Sequence, residues 1–234
     1  FFLKKNIIFS IIGFAGMLFV SKINYKVYKK FALPLMGVNI LLLLMTRFSP
    51  LGIELNYAKR WLDIGFSTLM TSEVTKFACI IMTATIISNR KNLINNPSTI
   101  IQPFIYVGLS VLLIIIQPDL STSVTILFVT FGMLFIAGMH YIYVLGIAGM
   151  GIFGIILLIL FEPYRLKRFT TFLDPFKDPL GNGYQVIQSL YALGSGGIFG
   201  LGLGKSRQKF FYLPEPQNDF IFAIIGEELG YIGG

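Results

Sequence analysis

The chain has 234 residues, of which 55% are apolar, 13% are charged and 24 are Gly, with a formal net charge of +8. Too little polar surface exists to coat a water-soluble particle of mean hydropathy +0.75, and disorder is excluded because it needs low hydrophobicity and high charge. One Cys excludes an intrachain disulfide and a zinc cluster, one His argues against a histidine-rich metal site or a Ser/His/Asp triad, and in a membrane protein the basic excess reports cytoplasmic loops and anionic lipid rather than nucleic acid.

Taken in order, the apolar runs are Ile7–Val20, Phe31–Thr46, Val74–Ser88, Ile100–Ile116, Val124–Met139, Tyr141–Phe161 and Phe220–Gly234. Several fall short of the ~20 residues of a full span, but flanking Lys and Tyr extend a span by snorkelling. The expectation is an all-α polytopic membrane protein with seven membrane helices in a single domain over 1–234. Lys4 and Lys5 precede the first run as in a signal peptide, but no small-residue cleavage site follows. The chain opens on Phe1 and stops at Gly234 inside an apolar run, which reads as a fragment truncated at both ends.

Orientation follows the bases in short loops. The loop 21–30 carries Lys22, Lys26, Lys29 and Lys30, and the loop 89–97 carries Arg90 and Lys91, with no acid in either. Both are expected in the cytoplasm. The connection 47–65, the QPDLS turn at 117–121 and the long loop 162–219 are then expected outside. That loop is rich in Gly, Pro, Gln and Asp, and long ordered loops tend to carry function.

The segment GSGGIFGLGLGKS at 194–206 imitates a phosphate-binding loop, but the position five residues before Gly204 is Phe199, so the P-loop spacing fails. A flexible or tightly turned outer segment remains. Lys205, Arg207 and Lys209 follow it among aromatics, a pattern suited to a lipid headgroup or pyrophosphate at the bilayer surface. Acids in or beside membrane segments are functional suspects because burying them is costly. They are Glu73, Asp119, Asp219, Glu227 and Glu228. Glu73 stands three residues before Lys76, so the two can pair. For Glu73, Lys76, Asp119, Glu227 and Glu228 the competing reading is a structural ion pair or a helix cap, and for Asp219 an N-cap. Arg60 and Trp61 read either as functional residues or as an interfacial anchor. His140 reads as a loop residue and Cys79 as a small apolar filler.

The stretch DPFKDPLGNGYQVIQSLYALGSGGIFGLGLGKSRQKFFYLPEPQNDFIFAIIGEELG at 174–230 closely resembles the FtsW/RodA/SpoVE (SEDS) family of bacterial wall synthesis. AKRWLDIG at 58–65, SEVTK at 72–76 and QPDLSTS at 117–123 carry the resemblance upstream. GYQ…QSL and YLPEPQNDF are nearer the FtsW/SpoVE branch than RodA, while Ser121 stands where the family usually has Gly. The resemblance implies about ten membrane helices in the whole protein, about seven of them in this chain. It also implies a peptidoglycan glycosyltransferase that polymerises lipid II and releases undecaprenyl pyrophosphate. A lipid II flippase or a non-catalytic division scaffold is the alternative. It further implies a class B penicillin-binding protein as partner, other division or sporulation membrane proteins, and the bacterial inner membrane. Residue by residue, Asp219 matches the family's essential outer-loop acid, and Trp61 with Arg60 a second required position. Glu73, Lys76 and Asp119 match charges of its central cavity. A divalent cation, Mg or Mn, is an optional helper for the departing pyrophosphate.

Overall fold

The computed structural model of the chain describes residues 2–55, 58–65, 68–90, 93–161, 163–210, 212–214 and 219–234, without the side chains of Phe2, Lys5, Pro163, Tyr164, Arg165 and Arg168. Lys91, and residues 215–218 of the YLPEPQNDF motif, lie outside the described residues.

Each of the seven apolar runs is helical. They form α1 (Phe2–Ser21), α2 (Tyr25–Phe48), α3 (Thr71–Asn89), α4 (Pro97–Ile116), α5 (Leu120–Ile136), α6 (Tyr141–Leu160) and, after two further helices, α9 (Ile221–Gly233). Among the described residues, α2, α4 and α6 are long and apolar enough to cross a membrane by length and composition, and Asn6–Ser21 and α5 are shorter apolar helices. The expected seven runs are thus seven helices, three of which meet the length and apolarity of a span. The polar start of α3, Thr-Ser-Glu-Val-Thr-Lys, lowers its hydropathy. α6 is apolar around its whole circumference and buries none of its residues, the pattern of a helix bathed in lipid.

The chain divides into two compact units, Phe1–Ala148 and Gly149–Gly234. In the first unit, α2 to α5 share a core of Met36, Leu43, Ala78, Cys79, Val107, Val111, Ile114 and Ile126. Cys79 is 1% exposed, the small filler that its type foretold. A polar ladder runs through this core. The Thr75 hydroxyl donates to Asn39 Oδ1 at 2.7 Å, Asn39 Nδ2 donates to Ser110 Oγ at 3.2 Å, and the Thr46 hydroxyl donates to Thr71 Oγ1 at 3.1 Å. Lipid gives helices little hydrophobic reason to associate, so such bonds, at roughly 0.6 kcal/mol each, join the packing as glue. Asn24 and Asn96 begin α2 and α4 by accepting the backbone N–H groups of Lys26 and Ser98, satisfying donors that a helix start leaves orphaned.

The connection between α2 and α3, in a fold expected to be all α, is a three-stranded antiparallel sheet in the order β1 (Gly52–Leu55), β2 (Ala58–Asp63), β3 (Thr68–Met70). The fold is therefore mostly rather than wholly α. Ile53 and Met70 flank Trp61 on its two neighbours, and the register of β1 slips between Ile53 and Glu54. β3 runs directly into α3, so the sheet sits at the start of that helix.

The second unit contains the stretch expected as one long loop. It is largely ordered structure: α7 (Pro163–Leu173), a 3-10 turn at Pro175–Lys177, α8 (Tyr184–Gly196), then a glycine-rich segment leading to α9. Asp178 organises the turn before α8, its Oδ2 accepting from the backbone N–H of Asn182 at 3.1 Å and from Asn182 Nδ2 at 2.8 Å. Those bonds, with a smaller contribution from Lys167, hold its carboxyl below the usual carboxylate range. α8 and α9 pack through Ala192, Leu213 and Ala223, with Phe220 and Ile224 against them. They approach so closely that a Cβ on Gly196 would overlap the Gly226 carbonyl oxygen.

Candidate functional site

Five of the residues singled out above belong to the first unit. Trp61 pairs with Met70, the residue that precedes the first turn of α3. Glu73 and Lys76 follow in that helix and form an ion pair of 2.7 Å. Arg60, beside Trp61 on β2, reaches the turn between α4 and α5. Its Nε donates to the Gln117 carbonyl at 3.2 Å, and its Nη2 donates to the Pro118 carbonyl. Arg60 thereby latches the QPD turn to the sheet. The next residue, Asp119, is 4% exposed. Its Oδ1 caps α5 by accepting from the Thr122 N–H at 3.2 Å, and its Oδ2 has no hydrogen-bond partner among the described residues. The sheet thus ties Arg60 to the turn that carries Asp119 and Trp61 to the residue before α3. Lys76 lines a small groove between α3 and α5 with Cys79, Ile80, Thr125, Ile126, Val129 and Thr130.

The ion pair has a measurable consequence. Lys76→Met should harm folding or activity more than Lys76→Met combined with Glu73→Gln, because the single change strands a carboxylate. A coupling of at least about 0.5 kcal/mol is expected from a double-mutant cycle on the melting of purified protein. Simple additivity would show that the two charges act independently.

The second unit holds Lys205, Arg207, Lys209, Asp219, Glu227 and Glu228. Asp219 lies in the turn ahead of α9 and is exposed. It is not the cap of that helix: the N-cap position is Phe220, and no side chain caps it. The N-cap alternative for Asp219 is thereby removed, because the chain turns one residue too late for its carboxylate to meet the first N–H groups. Among the described residues its carboxylate has no hydrogen-bond partner.

The segment after α8 is tightly turned rather than flexible, and its anchors are Glu227 and Glu228 of α9. The Leu201 and Gly202 N–H groups donate to the backbone carbonyls of Glu227 and Glu228, both at 2.9 Å. The Glu227 carboxylate accepts from Ser206 Oγ at 2.5 Å, Arg207 N at 3.0 Å, Gln208 N at 3.3 Å and Ser195 Oγ at 3.4 Å. The Glu228 carboxylate accepts from Gly204 N at 2.9 Å, Ser206 N at 3.3 Å and Lys209 Nζ at 2.7 Å. Lys209 is thus committed to Glu228 in an ion pair, which sets it apart from its expected role at the headgroup. Lys205 and Arg207 are exposed, and among the described residues their cationic groups have no partner. Asp219 lies ahead of α9, whereas Glu227 and Glu228 anchor this loop at the middle of that helix.

The dense wrapping of Glu227 was not foreseen, although a Glu-Glu pair inside an apolar run was the available signal. His140 is a turn residue, its backbone N–H donating to Asn95 Oδ1 at 2.8 Å. Among the described residues, no three His, Cys, Asp or Glu side chains converge as a metal site would require.

Apolar helices, a lipid-facing α6 and a polar ladder inside the helix packing define a multi-pass membrane protein. The whole chain, residues 1–234, matches the model of the FtsW/RodA/SpoVE family, described as cell cycle protein. The chain belongs to that family. It is 41% identical over 235 residues to stage V sporulation protein E of Bacillus subtilis, covering 100% of this chain and 64% of that one. It is 40% identical over 234 residues to a probable peptidoglycan glycosyltransferase FtsW of Trichlorobacter lovleyi, covering 100% of this chain and 61% of the relative. The chain therefore spans less than two thirds of the length of these relatives. A chain in the solved structure headed "Structural coordination of polymerization and crosslinking by a peptidoglycan synthase complex" superposes with a TM-score of 0.68 at 27% identity, over 92% of this chain and 59% of that one. The crystal structure of the rod shape determining protein RodA of Thermus thermophilus superposes with a TM-score of 0.55 at 20% identity, over 92% of this chain and 54% of that one, a likeness of fold.

Proposed function

We propose that the full-length protein is a peptidoglycan glycosyltransferase of the bacterial inner membrane that polymerises lipid II in division or spore formation. The observation that carries the reading is the exposed Asp219 carboxylate, free of capping duty, in the same unit as two exposed cations on an anchored loop. Relatives that bear the name peptidoglycan glycosyltransferase support it. In the reaction, an acceptor sugar hydroxyl attacks C1 of the donor sugar. The C1–O bond to the pyrophosphate breaks, and undecaprenyl pyrophosphate leaves with the bonding electrons. Asp219 takes the hydroxyl proton, work worth roughly 10²–10⁴ in rate. Lys205 and Arg207 bind the pyrophosphate of lipid II alike before and during its departure, so they lower KM rather than raise kcat. A divalent cation, where bound, would help neutralise the departing pyrophosphate. A class B penicillin-binding protein is the proposed partner, in keeping with the synthase complex to which the chain is similar.

Purified full-length protein incubated with lipid II tests the reading. Glycan strands should accumulate without any added polymerase. Movement of lipid II across vesicles with no strand formed would make the protein a transporter, and neither activity would leave a scaffold.

The reaction side should be extracytoplasmic, from the six bases and no acids of loops 21–30 and 89–97. In a background with Cys79 replaced, a cysteine at Leu180 should label from outside in intact cells. One at Leu93 should label only after permeabilisation, and the opposite pattern inverts the orientation.

A further inference from the structure

We infer that Glu227 is a positioning residue that fixes Lys205 and Arg207 as a rigid cationic fork for a pyrophosphate-bearing lipid; the inference rests on the function proposed above. A carboxylate only accepts hydrogen bonds, and Glu227 spends both oxygens on one short segment. It is 1% exposed, and Ser206 Oγ and the N–H groups of Arg207 and Gln208 converge on it. Glu228 takes the N–H groups of Gly204 and Ser206 from the same segment. The segment is thereby sorted into an inner and an outer side. The backbone N–H groups at 204, 206, 207 and 208 point inward to acids, and the Ser206 side chain is fully buried, while the side chains on either side of it, Lys205 and Arg207, are exposed.

This arrangement decides how the glycine-rich segment can meet a phosphate. In a phosphate-binding loop the backbone N–H groups cradle the anion. Here the N–H groups at 204, 206, 207 and 208 are already taken by carboxylates, so these four cannot cradle a phosphate. Recognition falls to the two flanking cations. The acids have a second effect: Lys209 neutralises Glu228 at 2.7 Å, which reduces the repulsion an incoming pyrophosphate would meet. Fixing the backbone that carries the two cations removes the loop's own ordering from the cost of binding. The clamp therefore acts on substrate affinity, not on the proton transfer assigned to Asp219.

The test uses purified full-length protein, with lipid II turnover and inorganic pyrophosphate as competitor. Glu227→Gln keeps the shape but turns an amide N–H₂ toward donors. KM for lipid II and the inhibition constant of pyrophosphate should each rise about tenfold, the scale of a lost charge-assisted hydrogen bond, with kcat little changed. Lys205→Ala with Arg207→Ala should give a similar rise. Adding Glu227→Gln to that pair should then change KM no further, because the fork it positions is gone. A general folding defect would instead add to the loss and lower kcat. Ser206→Ala removes one donor to the clamp without altering its charge. It should raise KM in the wild-type background and not in the Lys205→Ala, Arg207→Ala background, so it carries the same test should Glu227→Gln fail to accumulate. KM unchanged in Glu227→Gln and Ser206→Ala, or full additivity with the fork variants, overturns the inference while lipid II polymerisation stands. Absence of polymerisation in the wild type defeats the proposed function instead. The pyrophosphate affinities, read by equilibrium dialysis, then decide the clamp alone.

Discussion

Replacing Asp219 by Asn in the full-length protein is expected to lower lipid II polymerisation at least about a hundredfold, with normal expression, membrane insertion and lipid II binding. Asn has the shape of Asp and caps helices as well as Asp does, but it cannot take a proton. A cap lost at α9 would cost stability of about 0.5–2 kcal/mol and leave the rate per folded molecule intact. The structure already sets the cap aside, since Phe220 occupies that position without a side-chain bond. The variant therefore reads the carboxylate's chemistry directly. Glycan synthesis at the wild-type rate by the purified Asp219→Asn variant would remove Asp219 from the catalytic role.

Gly230→Ala should be the most damaging of the small substitutions. Gly230 has φ 69° and ψ −170°, a region open almost only to Gly, at a cost of roughly 1–3 kcal/mol for other residues. A Cβ there would overlap the Gly200 backbone nitrogen and stand 2.5 Å from the Ile198 carbonyl oxygen. Both are backbone atoms, held by the bonds of Tyr231 N to the Gly197 carbonyl and Ile232 N to the Ile198 carbonyl, so neither can swing aside. The melting temperature of the detergent-solubilised protein should fall by at least about 5 °C. Gly146→Ala, where a Cβ would meet nothing within 4 Å, serves as the control and should melt as the wild type does. Equal melting of the two variants would show that the Gly230 geometry is not required.

Helices α1 to α6 and α9 were legible because each rests on a long apolar run, which has few other ways to satisfy its backbone, whereas α7 and α8 lie in the stretch expected as loop. The sheet was not. Its strands are only 4, 6 and 3 residues long, too short for alternation to emerge, and Arg60 latches the QPD turn across 57 positions. Asp119 was legible as a candidate cap, since Asp followed by Leu-Ser-Thr is a common way to open a helix. The pairing of Glu73 with Lys76 was legible for a similar reason, being local. The clamp at Glu227 was hidden, because its partners lie 19 to 32 positions upstream and no periodicity links a carboxylate to distant backbone N–H groups. Asp219 stood out by its place before an apolar run and by resemblance, and the structure sharpened it by assigning the cap to its neighbour.

The acid pair of α9 also bears on how the protein is made. A charged side chain at the centre of a nascent helix raises the free energy of its insertion by about 2.5–3.5 kcal/mol, and α9 carries two carboxylates side by side. Emerging alone, that helix is a poor client for the translocon. With the upstream segment already folded around Glu227 and Lys209 already against Glu228, the same helix presents neutralised, hydrogen-bonded groups. The glycine-rich segment should then fold around the two acids before α9 settles in the bilayer.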